Sequence, residues 1–136
     1  MKLEWSSKHS VNVKEIDEQH KYFIGLINEM FEDLERREVE EVVDDTLNQV
    51  AAYAQFHFAT EEKRMAQCGY KGIEEQKAAH AQLLRPLAEL LDERKVTLDI
   101  YAYYYDLLDF LTEWLLNHLQ TENTQFSKCL NDHGIF

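Results

Sequence analysis

The chain has 136 residues, 45% of them hydrophobic and 29% charged, and a formal net charge of -12. That length buries one core without staples and predicts a single domain over residues 1–136. The acidic balance argues against the nucleic-acid backbone and against anionic membrane surfaces as partners. No apolar stretch reaches the roughly 18 residues of a membrane-crossing helix.

One proline and four glycines leave little room for a loop-rich β architecture. After an irregular arm at about residues 1–16, a first helix is predicted near Asp17, which can serve as its N-cap. Its apolar stripe is Phe23, Ile27, Met30 and Leu34, with His20 one turn earlier. It should fade near Arg36 and Arg37, whose charges suit a helix C-terminus. The second helix, from about Glu40 to Gln67, carries Val43, Leu47, Val50 and Ala54. The same three- and four-residue steps continue onto His57, Glu61 and Met65, and Gly69 is its predicted stop.

The third helix, roughly 73–94, alternates Ile73, Gln76, His80, Leu83, Leu87 and Leu90, with Pro86 inside it at the cost of one backbone hydrogen bond. The fourth runs from about Leu98 to Leu130, with Ile100, Tyr104, Leu107, Leu111, Trp114 and His118 on one side. Its tyrosines 101, 103, 104 and 105 read as packing and surface cover. Four amphipathic helices with short connections predict an all-α, antiparallel up-down-up-down four-helix bundle.

Cys68 and Cys129 fall in no recognisable motif and lie off these stripes. With no apolar leader segment after Lys2, they read as free thiols in a reducing compartment, which predicts a cytoplasmic protein.

Polar residues interrupt all four stripes. A lone histidine on an apolar face is more often a hydrogen-bonded core residue than a ligand, and His57 with Glu61 at i+4 is a common helix pair. Together the five groups are harder to dismiss. Each buried polar group without a partner costs roughly 1–3 kcal/mol, against the ~5–15 kcal/mol net stability of a typical domain. A cation satisfies imidazole and carboxylate at once, and facing bundle helices are where di-iron carboxylate sites are built. Imidazole plus carboxylate without thiolate suits iron, manganese or zinc. His20, His57, Glu61, His80 and His118 are therefore the candidate metal ligands.

Three segments carry a resemblance to bacterial hemerythrins, running nearly end to end. They are Val13-Lys14-Glu15-Ile16-Asp17-Glu18-Gln19-His20-Lys21, then His57-Phe58-Ala59-Thr60-Glu61-Glu62, then Trp114-Leu115-Leu116-Asn117-His118. The resemblance implies two irons held by five histidines, one glutamate and one aspartate, and reversible dioxygen binding at one iron. It would give His20 and His57 to one iron, His80 and His118 to the other, and Glu61 to both as a bridge.

Two expected ligands are replaced. Gln76 stands where the resemblance implies a histidine, and Asn123 where it implies the bridging aspartate. Gln76, Glu122 and Asn123 are candidate replacement ligands: Glu122 lies four residues after His118, on nearly the same helical face. Glu75 is turned roughly 100° away from the stripe.

The expected function is a non-haem di-iron protein binding dioxygen or another small diatomic ligand, for storage, delivery (oxygen transport) or sensing. Two alternatives stand beside it. One is a di-iron enzyme reacting with peroxide or nitric oxide, for which Glu62 and Glu122 are the nearby acids. The other is a mono-metal or metal-depleted sensor or interaction module.

Overall fold

In the computed structural model, which describes residues 2–121 and 124–136, every regular element is helical. Helix α1 spans Lys14–Arg36, α2 Val43–Cys68, α3 Ile73–Asp92, α4 Ile100–Thr121 and α5 Thr124–Asp132, with single 3-10 turns at Ser7–His9 and Glu93–Lys95. Short connections make successive long helices antiparallel, giving the expected bundle. Helix α1 packs on α2 and α4, while α2 packs on α3 and α5.

The start of α1 differs from the expectation. Val13 occupies the cap position, and Asp17 lies one turn inside the helix. Its carboxylate instead accepts from Ser10 Oγ (2.5 Å) and the Val11 amide (2.9 Å), fastening the N-terminal arm to the helix. Capping and arm-fastening draw on the same chemistry, a short acceptor near the first free amides.

At the other end of α2, Gly69 stops the helix as expected. It takes the left-handed conformation (φ 70°), and the Tyr70 amide closes back on the Met65 carbonyl at 2.9 Å. Helix α3 continues through Pro86. The stretch expected as one helix from Leu98 to Leu130 is covered by α4 and α5, with Glu122 and Asn123 between them lying outside the described residues.

The cysteines are not free thiols. Cys68, the last residue of α2, and Cys129 of α5 form a disulfide, their Cα atoms 5.8 Å apart. Sequence spacing concealed this, because the partners are 61 residues apart and meet only once α5 folds back on α2. No helix among the described residues is long and apolar enough to cross a membrane.

The apolar interior is in two pieces. The larger runs through Phe23, Ile27, Met30, Val50, Leu87, Tyr104, Leu107, Leu111 and Leu115. The smaller joins Val11, Val13, Ile16, Met65, Phe126 and Leu130 around Cys68. Between them α1, α2, α3 and α4 present His20, His57 with Glu61, His80 and His118, all buried. On α1 and α2 the polar residues fall between a contributor to one piece and a contributor to the other: Ile16 and Phe23 flank His20, and Ala54 and Met65 flank His57 and Glu61.

Candidate metal centre

The stripe spacing brings these side chains to one level. His20, His57, Glu61 and His118 each offer a ligand atom, all within 4.8 Å of one another. His20 Nε2 lies 3.2 Å from His57 Nε2, which lies 3.4 Å from His118 Nε2. Glu61 faces them, with Oε1 3.5 Å from His57 Nε2 and Oε2 3.7 Å from His118 Nε2. His80 stands beside this group, its Nε2 3.2 Å from Glu61 Oε1.

Aromatic side chains hold the rings in place. Trp114 stacks on His118, Phe58 on His80 and Tyr53 on His57, with interplanar angles of 15°, 13° and 9°. Burial, reinforced by the neighbouring His57 and His118, pushes the His20 pKa from 6.5 down to about 3. Burial likewise takes His57 to about 4, against the opposing pull of Glu61. Both imidazoles are therefore neutral at pH 7, the state that ligates metal.

Outer hydrogen bonds decide which nitrogen each ring offers. His57 donates from Nδ1 to Gln19 Oε1 at 2.7 Å, so Nε2 carries the lone pair that faces the cluster. Gln19 is itself fixed, donating from side-chain Nε2 to Thr60 Oγ1 (3.2 Å) and accepting from Tyr53 Oη at its backbone carbonyl (2.7 Å). His80 donates from Nδ1 to Glu62 Oε2 at 2.7 Å. That leaves its buried Nε2 without a hydrogen-bond partner, although Glu61 is close. For His57, an acceptor holding one imidazole nitrogen while the other faces the cluster is the usual outer arrangement at metal-ligating histidines.

Glu62, expected as a nearby acid for the enzyme alternative, accepts the hydrogen bond from His80. Gln19 and Thr60 were missed. The signal was present: Gln19 follows Ile16 by three residues and precedes Phe23 by four, so it lies on the buried face of α1.

Gln76 is half-buried on α3 and lines a cleft of about 480 Å³ between α3 and α4, with His80, Trp114, Asn117 and His118. Glu75 is exposed and does not line this cleft. Glu122 and Asn123 lie outside the described residues.

The donors suit a cation: imidazole nitrogen and carboxylate oxygen converge in a buried layer, and the disulfide leaves no thiolate among the described cysteines to compete. The family model described as the Hemerythrin HHE cation binding domain matches residues 11–130. The chain belongs to the hemerythrin family. Its similarity to bacteriohemerythrins runs along nearly the whole length. It is 24% identical to that of Clostridium acetobutylicum over 125 residues, covering 90% of this chain and 96% of the relative. It is 26% identical to that of Stenotrophomonas maltophilia (96% and 83% covered) and 26% identical to that of Methylococcus capsulatus (95% and 97% covered). As a hemerythrin, the chain is a non-haem iron protein, and the His/Glu layer is the group among its described residues able to hold the metal.

Proposed function

We propose that this hemerythrin binds dioxygen, or another small diatomic ligand, at iron held in the polar layer, with donors drawn from His20, His57, Glu61 and His118 and with His80 beside them. The observation that carries the reading is the convergence of three imidazole Nε2 atoms on one carboxylate inside an apolar, aromatic-walled bundle. Iron would supply the ligand-binding orbital and the electrons. The chain supplies orientation through Gln19 and Glu62, and exclusion of bulk water through the two apolar clusters.

The cleft beside His80 and His118 offers a route from solvent. We place the protein in the cytoplasm, where a Cys68–Cys129 bond would form and break with redox conditions rather than persist.

The test is anaerobic loading with ferrous iron, then exposure to air and removal of oxygen under vacuum while the visible spectrum is followed. A band that appears and disappears reversibly supports dioxygen binding. Irreversible oxidation with catalytic consumption of added peroxide would replace this reading with the enzyme alternative.

A further inference from the structure

We propose that the centre is mononuclear: His20, His57, His118 and Glu61 hold one metal ion, and His80 stands outside its coordination sphere. The inference rests on the reading of this layer as an iron site, and concerns how many ions these side chains can hold.

The spacing of the donors is the first argument. Two nitrogens bonded at about 2.0–2.1 Å to the same ion, at a tetrahedral angle, lie about 3.3–3.4 Å apart. The His20–His57 and His57–His118 Nε2 separations are 3.2 and 3.4 Å. In a paired site the ions lie about 3.5–4 Å apart, and terminal ligands of different ions splay outward from the pair. His57 and His118, expected on different irons, instead face each other at single-ion spacing.

The second argument is what remains for another ion. On the α3 side stand His80, the neutral amide of Gln76 and whatever share of Glu61 the first ion leaves. Two divalent cations bring four positive charges into a layer where, among the described residues, Glu61 is the fully buried carboxylate and the part-exposed Glu62 is turned to the outer nitrogen of His80, and a buried charge left uncompensated is strongly unfavourable. One divalent cation with one carboxylate is a far smaller imbalance. Nor is His80 idle without a metal bond: tied to Glu62 by Nδ1 and set against Glu61 by Nε2, it links the carboxylate of the ion to the cleft.

The experiment is to load the full chain with excess ferrous iron under anaerobic conditions, remove unbound metal, count iron per chain, and record electron paramagnetic resonance after one-electron oxidation of each iron. The expected result is one iron per chain, with the low-field resonance of an isolated high-spin ferric ion. His80→Ala should keep that iron with affinity changed less than about tenfold, whereas His118→Ala should lose more than the roughly 100-fold that an outer-sphere partner costs. Circular dichroism of each variant guards against loss of fold, and the wild-type count and resonance stand without the variants.

Two irons per chain giving a coupled, resonance-silent pair would overturn the proposal, as would His80→Ala losing iron as completely as His118→Ala. One iron without reversible dioxygen binding would instead sink the functional reading and leave the mononuclear site standing. No retained iron would overturn both.

Discussion

His57 and Gln19, on different helices, share a buried 2.7 Å hydrogen bond from imidazole Nδ1 to amide Oε1. That bond aims the opposite nitrogen at the cluster, so Gln19 would act on a bound metal through the His57 ring. Removing the acceptor with Gln19→Leu should weaken ferrous iron binding about 10–100-fold, the usual cost of losing an outer partner. Glu62→Leu, which frees the ring of His80, should cost less than about tenfold if His80 lies outside the coordination sphere. Competition against a coloured chelator measures both, and equal losses would contradict the different roles assigned to the two residues.

Stability of the metal-free protein should fall with acid. The folded-state pKa values of His20 and His57 are depressed from 6.5 to about 3 and about 4. The unfolded chain therefore takes up protons first, and stability is at its full value above pH 6.5. It declines as pH drops towards the folded-state values, by roughly 2 kcal/mol for each ring at about pH 5. Urea midpoints of the metal-free chain at neutral pH and near pH 5 test this; identical midpoints would refute it. Iron should be released in the same window, because protons and metal compete for the same lone pairs.

Far from the metal layer, Tyr104 donates to Asp33 Oδ2 (2.8 Å) and lies 3.2 Å from Thr46 Oγ1, all three residues buried. Tyr104→Phe leaves Asp33 short of a donor and should cost about 1–3 kcal/mol of stability with no effect on iron affinity. Thermal melts read the first effect and chelator competition the second.

The Cys68–Cys129 bond ties α5 to the end of α2 across a separation of 61 residues. In the chain-entropy view a loop of that length gives about 4 kcal/mol. Cys129→Ser, or reduction through the open cleft of about 800 Å³ beside Cys129, should lower the melting temperature and speed proteolysis within α5. An unchanged melt after verified reduction would show the bond to be dispensable.

Restoring the replaced side chains tests the metal count from the opposite direction. Gln76→His with Asn123→Asp adds one imidazole and one negative charge, and should raise iron binding from one ion per chain to two and lengthen the life of the oxygenated form. A double variant that still binds one iron at unchanged affinity would mean that ligand identity at these positions does not set the count.

The fold was legible because each helix carries its buried face as a repeating apolar stripe, and the histidines announced themselves by interrupting it. His20, His57, His80 and His118 could each be placed on the buried stripe of a different helix. Which rings meet was not legible: periodicity gives the face of a helix, whereas the approach of His118 to His57 depends on how the helices rotate against each other. Gln19 stayed hidden because an amide beside a histidine on the same face looks redundant. The disulfide stayed hidden because its partners belong to no stripe and no motif.

The division of the interior into two apolar clusters gives the bundle a plane of weakness. Hydrophobic contact holds each half together but does not run unbroken from one to the other, so cohesion between them relies on the helical backbones and on the groups in the polar layer. A cation held by His20, His57, Glu61 and His118 would span α1, α2 and α4 at that level and join the halves into a single cooperative unit. Without it, the end built on Val11, Val13 and α5 would be the first to open, so a bound metal would fasten the architecture as well as serve the site.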